Sequence, residues 1–224
     1  MRIKMSYQIA IDGPAGAGKS TIAKKLARKL NFIYVDTGAM YRAIALFLIR
    51  KGIHAADSSA VEAACQEVEV EISYRDGEQQ VLLNKENVTG LIRTEEVGNM
   101  TSAVSVYLAV RRKLLDLQRA LAAKADVIMD GRDIGTCVLP QADLKIYLTA
   151  SVKARADRRY KELLEKGQKP VLAEIARDIE ERDYRDMNRE ISPLKQAEDA
   201  VYLDSSDMGI EEVIEAILKI KADR

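Results

Sequence analysis

Residues 10–21 read AIDGPAGAGKST, a short apolar segment running into a glycine-rich turn, then a lysine and two hydroxyl residues. The spacing Gly13, Gly18, Lys19, Ser20 satisfies G-x-x-x-x-G-K-[ST]. Gly13, Gly16 and Gly18 carry no Cβ, so the backbone is free to close around an anion. Its N–H groups then add to the positive end of the helix that follows. Lys19 supplies a point charge for β- and γ-phosphates, and the Ser20 hydroxyl is the expected Mg²⁺ ligand. The flanks agree. YQIAID at 7–12 is a strand, and Ile22, Ala23, Leu26, Ala27 and Leu30 recur at helical spacing. The stretch therefore binds a nucleoside triphosphate, and its strand–loop–helix order sets the class of the fold.

Outward from the loop, strands and helices alternate. FIYVDT (32–37), DVIMDG (126–131), DLKIYLTA (143–150) and AVYLDSS (200–206) read as further strands. Helices are expected over 39–52, closed by Gly52, and 57–68, capped at Asp57. Others are expected up to about Lys124, near 152–166, over 171–190 ahead of Ser192-Pro193, and over 210–221. Five strands separated by helices predict an α/β fold with a parallel sheet covered on both faces. VEVEISYRDGEQQVLLN (68–84) breaks this rhythm. It alternates apolar and polar residues around Asp76-Gly77, as a β-hairpin does. Residues of about 66–100 are thus expected to form an inserted lobe.

A chain of 224 residues buries about 70% or more of its unfolded surface and needs no staples. Basic and acidic residues balance at 35 each, which gives no bulk electrostatic case for nucleic-acid or membrane partners. Cys65 and Cys137 lie far apart without metal-ligand spacing and read as reduced thiols, so a cytoplasmic location is expected. No run of 18 apolar residues and no signal peptide is present. The single histidine, His54, reads as a surface residue.

Three segments ask for a second anionic substrate. DTGAMYR (36–42) stands at the carboxyl end of a strand, where open α/β sheets bind ligands. Arg42 is expected in the first helical turn, a poor place for a cation unless an anion lies nearby. In DGRDIGT (130–136), Asp130 closes an apolar strand, as an acidic residue near Mg²⁺ does, with Arg132 and Asp133 directly after it. Arg155, Arg158 and Arg159 share one helix face, and Arg182, Asp186 and Arg189 share another. Arginine forks of this kind stabilise a phosphoryl group in transfer, and a closing helix would exclude water. Ordinary solvated helix faces would carry the same charges.

DGPAGAGKST, DTGAMYR, IRTEEV, DGRDIGT and RDYRDMNR-ISPL, in this order and over nearly the whole chain, resemble the bacterial cytidylate kinases of the nucleoside monophosphate kinase group. The resemblance implies a three-layer α/β/α phosphate-loop fold with a core at 1–36, 111–150 and 171–224. It also implies a monophosphate-binding region at 37–110 and a short helical lid at 151–170. It implies transfer of a phosphoryl group from ATP, with Mg²⁺, to CMP or dCMP. ATP would be held by Gly13, Pro14, Ala15, Gly16, Ala17, Gly18, Lys19, Ser20 and Thr21, with Mg²⁺ on Ser20 and, through water, Asp130. CMP would be bound by Thr37, Tyr41, Arg42, Ser102, Arg111, Arg132, Asp133, Arg182, Asp186 and Arg189. Lys19, Arg132, Arg155, Arg158 and Arg159 would act on the transferring group. A monomer is expected from the resemblance. The alternatives are a kinase of the same architecture for UMP, AMP or a small metabolite, a GTPase switch, and a non-catalytic nucleotide sensor. NKEN (84–87) lacks the final Asp of a guanine-reading N-K-x-D and lies in the hairpin segment.

Overall fold

The computed structural model describes residues 6–223. Strands β1 (Gln8–Asp12), β2 (Ile33–Asp36), β6 (Val127–Gly131), β7 (Leu144–Thr149) and β8 (Val201–Asp204) form one five-stranded sheet in the order β2-β6-β1-β7-β8. The pairs β1/β7 and β7/β8 are parallel, with Ile11 opposite Ile146 and Leu148 opposite Leu203. The five strands expected from the apolar runs are thus all present. β3 (Val70–Arg75), β4 (Glu78–Leu83) and β5 (Glu86–Asn87) form a separate antiparallel sheet. Arg75 faces Glu78 across a two-residue turn, with positive φ at both Asp76 (54°) and Gly77 (75°). Positive φ at both central positions defines a type I′ turn, the turn an Asp-Gly pair favours.

Helices fill the intervals: α1 (Lys19–Leu30), α2 (Thr37–Arg50), α3 (Ser58–Glu67), α4 (Glu95–Val104), α5 (Leu108–Ala122), α6 (Val152–Glu165), α7 (Leu172–Asn188) and α8 (Ile210–Ala222). Their starts follow the local chemistry. Asp36, Asp57, Thr94 and Ser151 each accept an N–H three residues on. Because α2 begins at Thr37, Arg42 lies in its second turn, not its first. The dipole argument for an external anion at Arg42 is correspondingly weaker.

The chain divides into two compact units. One holds Ile33–Val127; the other holds Tyr7–Phe32 and the residues from Ile128 onward. In the first, α2 buries Met40, Ile44, Phe47 and Leu48 and packs on α4 and β4. In the second, β1 and β7 contribute Ile9, Ile11, Leu144 and Ile146 to a fully enclosed core. There α1 buries Ile22, Ala23, Leu26 and Ala27, the residues its periodicity singles out, and packs on α8. No helix of the described residues is long and apolar enough to cross a membrane. Cys65 and Cys137 are both free thiols.

Candidate nucleotide-binding site

The glycine-rich loop follows β1 directly, and its glycines are required by geometry. Gly13 has φ +152°, and a Cβ there would fall 1.9 Å from the Leu148 carbonyl oxygen. The cause is the register: Asp12 lies opposite Tyr147, so the next residue is pressed against the β7 backbone. Gly18 caps α1 in a left-handed conformation (φ 83°), and no side chain caps the N-terminal amides. Those donors are thereby left for a ligand.

Lys19 is buried and donates to the Pro14 carbonyl at 2.7 Å. Burial, and then the Arg132 guanidinium, pull its ammonium down to a pKa of about 7, against the attraction of Asp130 and Asp12. The Ser20 hydroxyl donates to Asp130 Oδ2 at 2.8 Å. These two hard oxygen groups suit Mg²⁺, which takes few protein ligands beside phosphates and water. Among the described residues no cluster of three or more His, Cys, Asp or Glu side chains offers an all-protein metal cage, in keeping with that mode.

β6 ends at Gly131, and Arg132 and Asp133 follow before a π-helical turn at Ile134–Val138. Arg132 Nε donates to Asp186 Oδ2 at 2.7 Å. Arg189 Nη2 lies 3.8 Å from Asp133 Oδ1, and Arg189 Nε donates to the Ser192 carbonyl at 2.7 Å. Asp186 is pushed up by burial but pulled further down by Arg132, Arg182 and Arg189, and stays below its ordinary range. So α7 brings Arg182, Asp186 and Arg189 to the segment that carries Arg132 and Asp133.

The α6 arginines are not gathered into one set. Arg155 is buried, with Nε on the Ala150 carbonyl and Nη1 on the Ala15 carbonyl of the glycine-rich loop, each at 2.9 Å. Its third nitrogen pairs with Asp183 of α7 at 2.6 Å. Arg158 is held at Ser205, by its carbonyl and hydroxyl oxygens. Arg159 pairs with Glu162 on the exposed side of α6. Of the three, Arg155 alone is bonded to the loop here.

The unit containing Ile33–Val127 carries a second group. Asp36 accepts from the Ala39 N–H at 2.9 Å and pairs with Arg93, while both its backbone groups bond to Gln79 of the hairpin. Thr37 is buried beside it. Arg42 Nη1 donates to the Ile92 carbonyl at 3.1 Å, and its guanidinium lies against Gly98, where a Cβ would sit 3.3 Å from Nη1. Arg111 is buried, donates to the Ser105 carbonyl at 3.1 Å, and holds its guanidinium 5.7 Å from the centre of the Tyr41 ring. Ser102 Oγ is buried without a hydrogen-bond partner among the described residues. An orphaned buried hydroxyl of this kind asks for a ligand atom.

Sequence reasoning passed over Asp12, Asp183, Gln79 and Arg93. Asp12 had a legible signal, a carboxylate at the end of an apolar strand, as Asp130 has. Asp183 stands three residues before Asp186, on the same helix face. Gln79 and Arg93 have no signal, since their partner Asp36 is 43 and 57 residues away.

Fold and loop together define a phosphate-loop α/β protein built for phosphoryl-group chemistry. A family profile described as cytidylate kinase matches residues 9–223. The cytidylate kinase of Carboxydothermus hydrogenoformans is 47% identical over 213 residues, covering 95% of this chain and 96% of that one. The cytidylate kinase of Listeria innocua is 49% identical over 213 residues, covering 95% and 94%. The chain belongs to the cytidylate kinase family. Among solved structures, an uncharacterized protein from Eubacterium ventriosum superimposes with a TM-score of 0.56 at 11% identity, covering 98% of this chain and 100% of that one, a likeness of fold alone.

Proposed function

We propose that the protein transfers the γ-phosphoryl group of ATP to CMP and dCMP, giving ADP and CDP or dCDP. The observation that carries this reading is the family match from residue 9 to 223 together with an intact loop, Gly13 to Ser20, whose Ser20 hydroxyl meets Asp130. ATP phosphates lie on the glycine-rich loop and the N-terminus of α1, with Lys19 beside the β- and γ-phosphates. Mg²⁺, held by Ser20 and through water by Asp130, supplies neutralising charge to the phosphate oxygens. Residues 37–110 bind the monophosphate, and 151–170 act as a lid.

Arg132 holds the CMP phosphate, with Arg42 and Arg189 as further cations. Asp133 accepts from the exocyclic amine of cytosine, and Arg111 and Ser102 donate to the ring. Tyr41 and Thr37 support the base and phosphate, and Arg182 and Asp186 reach the ribose. Uracil reverses the pattern by placing a carbonyl against the carboxylate, so a site of this kind discriminates by up to about 10⁴-fold. No general base is required, since the CMP phosphate is already an anionic nucleophile and positioning with charge neutralisation suffices. Steady-state kinetics of Asp133→Ala test the base-reading role. The CMP-to-UMP ratio of kcat/KM is expected to collapse, and an unchanged ratio would contradict the assignment.

A further inference from the structure

Asp12 closes β1 and immediately precedes the glycine-rich loop. Its carboxylate is buried and does not turn toward that loop. Oδ1 accepts from the Ile134 N–H at 2.8 Å and Oδ2 from the Gly135 N–H at 2.7 Å. These are the first two amides of the π-helical turn, which has no side-chain cap from its own N-cap residue, Asp133. One residue of β1 thus caps a turn more than a hundred residues away. The turn begins directly after Arg132 and Asp133, so its position fixes where the backbone of those two residues emerges from β6.

The opposite side of the turn is closed as well. A Cβ on Gly135 would meet Lys145 Cδ at 3.1 Å and Asp12 Oδ2 at 3.4 Å. Lys145 stands on β7 opposite Ala10 of β1, buried, with Nζ on the Pro140 carbonyl at 2.6 Å and on Asp199 at 2.8 Å. Its stem is therefore tethered at its far end and cannot swing aside freely. The turn is gripped between a carboxylate that holds both its leading amides and a lysine stem that leaves room only for glycine.

We infer that Asp12 is a positioning residue for the acceptor nucleotide, setting Arg132 and Asp133 through its two bonds to the turn that follows them. This rests on the reading of Arg132 and Asp133 as CMP-binding residues. A carboxylate is suited to the task because it accepts at both oxygens. In Asp12→Asn the shape is kept, but one oxygen becomes an NH₂ that confronts a backbone N–H.

The test is steady-state kinetics of Asp12→Asn and Gly135→Ala beside Arg132→Ala, with the melting temperature of each variant. In Asp12→Asn, KM for CMP is expected to rise about 10-fold or more, as loss of a charge-assisted hydrogen bond predicts. The CMP-to-UMP ratio of kcat/KM is expected to fall with it, while KM for ATP stays within about 2-fold of wild type, since neither carboxylate oxygen bonds to the loop. Gly135→Ala, which crowds the same clamp from the other side, is expected to show the same split and supplies the test should Asp12→Asn not fold. If Arg132→Ala raises KM for CMP but the two clamp variants leave KM and the CMP-to-UMP ratio unchanged, the inference is wrong and the reading of Arg132 stands. If Arg132→Ala leaves KM for CMP unchanged, that reading fails and takes the inference with it. Equal rises in KM for both nucleotides would make Asp12 a residue of the fold at large and overturn the inference.

Discussion

Arg132 and Asp186 face each other across 2.7 Å, with side-chain exposures of only 19% and 8%. Neither charge has much water, so each depends on the other. Removing one partner of such a pair leaves an uncompensated buried charge and costs about 3–5 kcal/mol. Here the loss is compounded, because Asp186 also offsets the repulsion between Arg132 and Lys19. Asp186→Ala is therefore expected to lower the unfolding free energy in urea by about 3 kcal/mol or more. CMP, whose phosphate would replace the missing carboxylate beside Arg132, is expected to stabilise the variant more than it stabilises wild type. Equal stabilisation of the two proteins would mean that the phosphate does not engage Arg132.

Lys19 carries the opposite bargain, function against stability. Its ordinary pKa of 10.5 is brought down to about 7, first by burial and then by Arg132. Between those two values the unfolded chain binds a proton that the folded protein does not, so wild-type stability rises with pH through this window. Lys19→Met removes that dependence. The variant is expected to be more stable than wild type near pH 6.5, with an advantage that shrinks by pH 9. Its turnover is expected to fall by about 10²-fold or more, a loss of about 3 kcal/mol of transition-state stabilisation. Parallel urea titrations at the two pH values check the first expectation, and kcat the second.

Asp12 has the reverse sign. Burial, opposed by its bonds to the Gly135 and Ile134 amides and reinforced by Asp133, pushes its carboxyl from 3.8 up to about 6. Between those values the folded protein holds a proton that the unfolded chain has released. Wild-type stability therefore falls as pH rises through the window and is flat above it. The difference, 6 − 3.8, is about 2 units, equivalent to about 3 kcal/mol. The stability of wild type relative to Asp12→Asn is expected to decline by up to that amount between pH 4 and pH 7. A difference that does not vary with pH would contradict a buried, proton-holding Asp12.

Gly13→Ala is expected to destabilise severely. The new Cβ would overlap the Leu148 carbonyl, a backbone atom held in the β7–β8 ladder that cannot rotate away as a side chain can. Backbone strain at φ +152° adds to the overlap, and a loss of more than about 3 kcal/mol is expected by urea denaturation. Gly18→Ala meets no atom within 4 Å and is strained only by its φ of +83°. It is expected to cost about 1 kcal/mol, so the contrast isolates the steric part.

What the sequence made legible is what local chemistry controls. The strand–glycine loop–helix order, the Asp-Gly hairpin, the caps at Asp57 and Ser151 and the five core strands all depend on neighbours within a few residues. The two-residue strand β5 escaped because its pairing, Leu82 with Asn87, leaves almost no alternating pattern to detect. Arg155 was read as one of three equivalent arginines on a helix face. The face is real, but only tertiary placement sends Arg155 inward to Ala15 and Asp183 while Arg159 stays in solvent. The clamp from Asp12 to Ile134 and Gly135 spans more than a hundred residues, and its donors are backbone amides, which carry no residue-type signature. Spacing rules show which residues share a face; they do not show which carbonyl or amide that face will meet.

The most direct test of the account is ADP release from Mg-ATP with CMP, dCMP, UMP, AMP or GMP supplied separately. Rapid turnover with CMP and dCMP and little with the other three is the predicted result. Tight ATP binding with no turnover on any monophosphate, or equal turnover on UMP and CMP, would contradict it.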